Sequence, residues 1–495
     1  MNSRKICLAV DLGAGSGRVV AGIYDGAHLE LDELNRFPND PVQQADGWHW
    51  NLERLFAQIK QGIALAAKKY GNAVISVGVD TWGVDYGLLD AQGELLCAPF
   101  QYRDRRTEGM QEAAFRRMPR EEIYRHTGIQ FLFFNTLFQL LAEAHSGGRL
   151  KEAERLLFMP DLIHHFLTGV AVNEKSIAST SQLLDPRAQT WERGVIRAMG
   201  LPENIFGRLV DAGTVLGELQ RDVAAETGAK NLRVIAPAEH DTASAVAGVP
   251  AEEPEPVFLS SGTWSCMGRE LNQPVITEES FRAAFSNEGG VLGKTRFLKN
   301  IAGLWLLQES KRIWDAAGKA VGYTDLIAQA EKSPPFASFI DPDAASFKAP
   351  ADMPAAIGEF CRRTGQIPPA NPGALTRLIL ESLALKYRSV KESMAQVTGK
   401  PVEKIYIVGG GCQNHLLNQF AASATNCLVA AGPVEATSIG NIIMQLSALG
   451  EIHSLTEGRA LVRRSFETRI FEPKDTGAWD GAHTRFQKIL SANLP

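Results

Sequence analysis

The stretch Lys5-Ile6-Cys7-Leu8-Ala9-Val10-Asp11-Leu12-Gly13-Ala14-Gly15-Ser16-Gly17-Arg18-Val19-Val20 runs from an apolar segment into an aspartate, turns on three glycines and re-enters a β-branched segment. This pattern predicts two strands joined by a phosphate-holding hairpin. Gly13, Gly15 and Gly17 permit positive φ and close backbone approach, so successive N–H groups can point at a phosphate while Asp11 offers a carboxylate to a hydrated magnesium ion. A nucleoside triphosphate suits that chemistry. A dinucleotide fingerprint is excluded by Arg18, which stands where the third glycine belongs. Gly293-Lys294-Thr295 ends like a Walker loop, but Glu288 replaces its first glycine. The alternative for residues 13–17 is an ordinary glycine-containing hairpin turn.

Two later segments repeat the plan. Val257-Phe258-Leu259-Ser260-Ser261-Gly262-Thr263-Trp264-Ser265-Cys266-Met267-Gly268 reads as strand, small polar turn and strand. Lys404-Ile405-Tyr406-Ile407-Val408-Gly409-Gly410-Gly411-Cys412-Gln413-Asn414 passes from a β-branched strand through three glycines toward a helix. Glycines and hydroxyls in the first suit phosphates, and a flat glycine surface in the second suits a purine.

At 495 residues the chain exceeds one typical core and is expected to form two domains, 1–248 and 249–495. The Pro- and Glu-rich segment Val249–Val257 marks the boundary and hinge. A composition of 45% hydrophobic and 22% charged residues is that of a globular protein, and a net charge of −5 argues against general nucleic-acid binding. No apolar run approaches the roughly 18 residues of a membrane span. These features predict a cytoplasmic protein with a small-molecule substrate, no nucleic-acid partner and no membrane association. Six cysteines show neither metal-pair spacing nor a dense disulfide framework and are expected to be reduced.

Strands at 5–11, 17–24 and 74–79 alternate with a helix over Leu52–Tyr70, whose Leu52, Leu55, Phe56, Ile59, Ile63 and Ala66 follow helical spacing, so the chain reads as α/β. A second helix is predicted to open at Asn371-Pro372 and to close at Gly399. Residues 333–354, rich in proline, alanine and aspartate, read as a surface excursion. His164-His165 lacks a third ligand, and neighbouring positions on a helix diverge, so no transition metal is predicted.

The three glycine-bearing segments, in this order, resemble the two phosphate elements and the adenosine element of the FGGY carbohydrate kinases. Val79-Asp80-Thr81-Trp82-Gly83-Val84-Asp85-Tyr86, Phe134-Asn135-Thr136-Leu137-Phe138-Gln139-Leu140 and Gly432-Pro433-Val434-Glu435-Ala436 resemble the branch that phosphorylates L-rhamnulose. The resemblance covers nearly the whole chain. It implies two actin-like ATPase (ribonuclease-H-like) domains flanking a catalytic cleft that closes in turnover, and transfer of phosphate from ATP to L-rhamnulose, giving L-rhamnulose 1-phosphate in L-rhamnose catabolism. L-Fuculose or another ketose is the alternative acceptor, and a non-sugar actin-like ATPase the alternative class.

The same resemblance implies roles residue by residue. Asp241, in Glu239-His240-Asp241-Thr242, becomes the general base for the sugar hydroxyl, with Gly83, His240, Asp241, Thr242 and Asn300 binding the sugar. Gly13, Ala14, Gly15, Ser16, Gly17, Thr263, Gln308 and Gly410 become ATP contacts, and Asp11 a water-mediated magnesium ligand. Arg103-Asp104-Arg105-Arg106 resembles a charged motif at the sugar entrance of related kinases. Each residue has a plainer alternative: a helix N-cap for Asp241, a β-turn for Thr263, a tight turn for Gly83, helix entry for Gly410, a polar residue near a helix for Asn300 and Gln308, and a solvated charge cluster for the arginines.

Overall fold

The computed structural model describes residues 4–492. The chain forms two compact units. One comprises the chain up to Glu255 together with Glu270–Leu298 and Glu435–Phe466; the other comprises Pro256–Arg269, Lys299–Val434 and the chain from Glu467 onward. The first break, between Glu255 and Pro256, falls within the expected boundary segment Val249–Val257, but two later segments rejoin the first unit, so the division is not a single cut.

In the first unit the opening hairpin is the middle of a sheet. Lys5–Leu12 pairs antiparallel with Ser16–Tyr24 on one side and parallel with Val74–Thr81 on the other. Arg233–Ala236 then runs parallel to Val74–Thr81. Ile6 through Leu12 are all buried, as a strand covered on both faces must be, which explains why the segment reads as a continuous apolar run rather than an alternating one. One cover is the predicted helix Leu52–Tyr70, capped by Asn51 Oδ1 accepting from the Arg54 N–H at 3.1 Å. Its Leu52, Leu55, Ile59, Ile63 and Ala66 join Leu8, Val10, Leu12 and Val19 in one core.

A helix over Ala436–Ala448 covers the other face, with Ile439, Ile442, Ile443 and Leu446 packed on Cys7, Ala9, Tyr24 and Leu29. It also crosses the short helix Asp241–Ala247 at backbone contact: a Cβ on Gly440 would lie 1.7 Å from the Ser244 carbonyl oxygen, and one on Gly248 2.3 Å from that of Ala436. Only glycine fits at either position. Buried polar side chains line the same helix. Gln445 Nε2 donates to the Leu8 carbonyl at 2.8 Å, and Asn441 Nδ2 to Asp80 Oδ2 at 2.6 Å. These contacts are why 435–466 belongs to the first unit.

The second unit repeats the scheme. Val257–Ser261 pairs antiparallel with Trp264–Leu271 and parallel with Lys404–Val408, which runs parallel to Leu428–Ala431. A hairpin followed by two parallel strands is thus common to both units. The long helix Pro372–Thr398 begins at the cap Asn371 and ends at Gly399 in the left-handed region, as the sequence predicts. The reading of 333–354 as a surface excursion is corrected in part. Phe339, Ile340 and Phe347 are buried, and the backbone there is anchored by Phe339 N–H to Gln366 Oε1 at 2.8 Å and Ile340 N–H to Ser382 Oγ at 3.0 Å. Proline and alanine enrichment conceals three core aromatics and aliphatics spaced too irregularly to register as an element.

Gly440→Ala is expected to lower the melting temperature markedly, since inserting a methylene into a packed crossing costs about 1–3 kcal/mol or more. Gly477→Ala, at a helical glycine with nothing within 4 Å of its Cβ position, is expected to leave it unchanged or raise it. Differential scanning fluorimetry of both variants checks the contrast, and equal melting temperatures would refute the close crossing.

Candidate active site

The Leu12–Gly17 turn is a tight loop in which the Gly13 N–H donates to the Ser16 carbonyl at 2.9 Å, while Asn39 Nδ2 holds the Gly13 carbonyl at 2.9 Å. None of Gly13, Gly15 and Gly17 adopts positive φ, which corrects the conformational reason given for them. Their uses differ. A Cβ at Gly17 would strike the Phe37 ring at 2.3 Å, so this glycine serves packing, whereas nothing lies within 4 Å of a Cβ at Gly15 and the backbone there is open to a ligand.

Asp11 ends the first strand beside this turn, almost fully buried. Arg18 Nε stands 3.1 Å from its Oδ2, and Arg18 also contacts Glu435. Burial pushes the Asp11 carboxyl up to about 6, against the pull of Arg18 and with the added repulsion of Asp241 and Glu435. On the neighbouring parallel strand Asp80 is raised well above the usual carboxylate range by burial and by Asp11, despite the hydrogen bond from Asn441. Asp11, Asp80 and Asp241 therefore repel one another electrostatically, although among the described residues no three His, Cys, Asp or Glu side chains are grouped so as to hold a metal ion by themselves.

Asp241 arrives there because its helix starts where strand pairing ends: Thr81 N–H donates to the Glu239 carbonyl at 2.8 Å, and His240 bridges to Thr81 in parallel register. His240 is the N-cap residue and Asp241 the first residue of the helix, so Asp241 is not the cap. Its Oδ1 accepts from the Thr242 N–H at 2.5 Å and Thr242 Oγ1 at 3.0 Å; its Oδ2 accepts no hydrogen bond among the described residues.

His240 is held from behind. Arg296 Nη2 lies 3.1 Å from His240 Nδ1 and 3.2 Å from Glu288 Oε2. Glu288 Oε2 also lies 3.3 Å from Nδ1, so that nitrogen faces a donor and an acceptor together, while Nε2 stands 3.4 Å from Asp241 Oδ1. Burial opposes ionisation of Glu288, but Arg296 and His240 outweigh it and keep its carboxyl below the ordinary range. A Cβ at Gly83 would lie 3.4 Å from His240 Nε2 and 3.3 Å from the Thr180 side chain, so Gly83 and His240 share one small space.

Val84, next to Gly83, has φ of 69°, a left-handed conformation disfavoured for a β-branched residue. The surroundings enforce it: Thr180 Oγ1 accepts from the Val84 N–H at 3.1 Å, and Thr136 Oγ1 donates to its carbonyl at 2.7 Å. Asp85 anchors the following turn. Its Oδ2 accepts from the indoles of Trp50 and Trp82 at 2.7 and 2.9 Å and from the Tyr102 N–H at 3.2 Å, while Gln139 Nε2 donates to Oδ1 at 2.9 Å. Burial raises this carboxyl to about 6 even so.

In the second unit, Thr263 Oγ1 donates to Gln308 Oε1 at 3.1 Å, which brings together two of the residues expected to contact ATP. The turn is braced by the N–H groups of Gly303 and Trp305 on the Thr263 carbonyl at 3.2 and 3.1 Å. A Cβ at Gly303 would sit 2.7 Å from the Gly262 carbonyl oxygen, a close approach that the sequence reading missed. Gly410 is exposed with nothing within 4 Å of its Cβ position, flanked by Gly409 at φ of 81° and by Gly411, which packs on Ser261. Asn300 lies half-buried on the strand Thr295–Ala302. Arg106 pairs with the buried Glu143 at 2.9 Å, so the 103–106 run is not uniformly solvated. His164 is buried, with Nε2 accepting from the Val79 N–H at 3.1 Å.

Residues 6–248 match the N-terminal domain of the FGGY family of carbohydrate kinases, and residues 257–449 its C-terminal domain. The chain belongs to this family. It is 45% identical to a rhamnulokinase of Bacteroides thetaiotaomicron over 97% of this chain and 99% of that protein, and 41% identical to a rhamnulokinase of Pectobacterium atrosepticum over 98% and 96%. Its fold matches a ligand-bound xylulose kinase from Lactobacillus acidophilus with a TM-score of 0.80 at 15% identity, covering 99% of this chain and 98% of that one. Plasmodium falciparum glycerol kinase with ADP gives a TM-score of 0.76 at 15% identity, covering 100% and 99%. The two-domain, actin-like fold implied by the sequence motifs is therefore the fold of the chain.

The glycines of the first turn can be told apart by substitution. Gly17→Ala is expected to lower the melting temperature because Phe37 must move, a cost of about 1–3 kcal/mol. Gly15→Ala is expected to leave it unaltered. Thermal denaturation decides, and a Gly17→Ala variant as stable as the parent would contradict the packing assignment.

Proposed function

We propose that this chain is a rhamnulokinase, transferring the γ-phosphate of ATP to L-rhamnulose to give L-rhamnulose 1-phosphate and ADP. The observation that carries the reading is the 45% identity to a rhamnulokinase across nearly the full length of both chains. Free cysteines, six of them, accord with a cytoplasmic enzyme. In this reading residues 1–248 supply most of the sugar contacts and residues 249–495 most of the nucleotide contacts.

Phosphoryl transfer asks mainly for positioning and charge neutralisation. Asp241 is the general base: Thr242 engages Oδ1 and orients the carboxylate, which leaves Oδ2 to take the proton of the attacking hydroxyl. Gly83 and His240 bind the sugar, with Thr242 and Asn300 as further contacts. The open backbone around Gly13, Ala14, Gly15 and Ser16 holds phosphate; Gly17 serves this loop by packing. Thr263 and Gln308 hold the nucleotide's phosphate side, and Gly410 its purine or ribose.

In this reading Asp11 holds a magnesium ion through water, since a small hard cation keeps much of its hydration and one buried carboxylate paired with Arg18 offers no direct ligand set. When bound it would supply charge neutralisation to the phosphates, and Asp11 would hold it. Burial and the neighbouring carboxylates raise the Asp11 carboxyl to about 6, and a cation beside it would favour the ionised form.

Asp241→Asn is expected to retain fold and sugar affinity and to lose about 10²- to 10⁴-fold in turnover, because the amide preserves shape but accepts no proton. Calorimetric sugar binding, melting temperature and saturated turnover on one preparation test this, and turnover within a fewfold of the parent would remove Asp241 as base. A coupled ADP-release assay over L-rhamnulose, L-fuculose, D-xylulose and glycerol, with and without magnesium, tests the substrate. Preference for any acceptor but L-rhamnulose would overturn the specificity.

A further inference from the structure

One stretch, Glu174–Thr180, presents four side-chain oxygens that accept backbone N–H groups from three separate segments. Glu174 Oε2 accepts from Glu239 at 3.2 Å, Ser176 Oγ from His240 at 3.2 Å, Ser179 Oγ from Gly289 at 2.8 Å, and Thr180 Oγ1 from Val84 at 3.1 Å. The targets are the strand-to-helix turn bearing His240 and Asp241, the segment bearing Glu288, and the turn bearing Gly83.

The hydroxyl protons are committed as well. Ser176 Oγ donates to Glu174 Oε2 at 2.5 Å, Ser179 Oγ to the Ser176 carbonyl at 2.7 Å, and Thr180 Oγ1 to the Ile177 carbonyl at 2.8 Å. All four side chains are buried. Each hydroxyl is thus fixed in orientation by its own bond and presents a lone pair in one direction, so the stretch acts as a rigid template for backbone it does not precede or follow in sequence. Thr180 also borders the space beside Gly83, where a Cβ would lie 3.3 Å from its side chain and 3.4 Å from His240 Nε2.

We propose that Ser176 and Thr180 are positioning residues of the acceptor site: through the N–H groups of His240 and Val84 they set the separation of His240 from Gly83, and with it the sugar that the site admits. The proposal rests on the sugar-side reading of Gly83 and His240. Neither hydroxyl touches the reacting atoms, and loss of either loosens one wall of the site while leaving the nucleotide side intact.

The test uses the full chain with Ser176→Ala, Thr180→Val and Thr180→Ser, and Thr227→Val as a control that removes an equally buried hydroxyl bonded to the Val223 carbonyl at 2.8 Å. Ser176→Ala and Thr180→Val are each expected to raise KM for L-rhamnulose about three- to tenfold, the worth of one backbone hydrogen bond, with KM for ATP within about twofold of the parent. Thr180→Ser is expected to restore the sugar KM, and discrimination against L-fuculose is expected to narrow in Thr180→Val. Thr227→Val is expected to lower the melting temperature without splitting the two KM values. Equal changes in sugar and ATP KM, or behaviour matching Thr227→Val, would overturn the proposal while parental activity on L-rhamnulose leaves the underlying reading intact. A parent that phosphorylates no sugar would overturn both.

Discussion

The backbone crossing of Asp241–Ala247 with Ala436–Ala448 is the constraint on which the buried acidic residues of the first unit depend. With Gly440 against the Ser244 carbonyl, the later helix comes close enough to place Asn441 on Asp80 and Ser438 within 3.5 Å of Asp11. A residue with a side chain at Gly440 or Gly248 would push the helices apart and withdraw these partners. Asp80 would then lose the hydrogen bond that offsets part of its desolvation, and an unsatisfied buried carboxyl costs more than the bond itself contributes. Close packing of bare backbone is thus what permits a polar, acidic cluster to exist inside a sheet-and-helix core.

Burial sets the character of that cluster. Asp11, Asp80, Asp85, Asp161, Glu174 and Glu239 are all buried in the first unit, and burial raises every one of their carboxyl pKa values. They divide by what else surrounds them. Asp85 and Glu174 accept several N–H or O–H donors and act as fasteners of the backbone; Glu174 still rises to about 7. Asp11 and Asp80 repel each other and have fewer donors, the environment in which a bound cation has most to offset. Ion pairing alone does not explain the arrangement, because the same desolvation that strengthens attraction to Arg18 also penalises the carboxylate it attracts.

The sequence made the scaffold legible where local rules act alone. Asn51 and Asn371 as caps, Gly399 as a stop and the Lys5–Tyr24 hairpin were all readable, since caps, turns and apolar periodicity are set within a few residues. Thr263 and Gln308, 45 positions apart, were each read as ATP contacts through the family resemblance, which gave no sign that they bond to each other. What stayed hidden depends on tertiary contact. Gly17 looks like its neighbours in sequence but answers to Phe37; the His240–Arg296–Glu288 triangle joins segments some fifty residues apart; and the return of 435–466 to the first unit rests on two glycines with no local signature. Val84 is the sharpest case, because a β-branched residue gives no warning of positive φ.

That strained residue also explains why the turn at Gly83 requires so much supporting structure. Left-handed Val84 is unfavourable by itself, and strain of this kind, of order 1–3 kcal/mol, persists only where the surroundings over-determine it. Here Thr180 takes its N–H, Thr136 holds its carbonyl, and Asp85, fixed by two indoles, locks the residue that follows. The reversal of direction at Val84 turns the chain immediately after Gly83 and leaves that glycine bare beside His240. An extended Val84 would carry Asp85 away from Trp50 and Trp82 and leave its carboxylate buried without donors. The strain and the buried carboxylate therefore stabilise each other's geometry, and the space between Gly83 and His240 is defined before any ligand enters it.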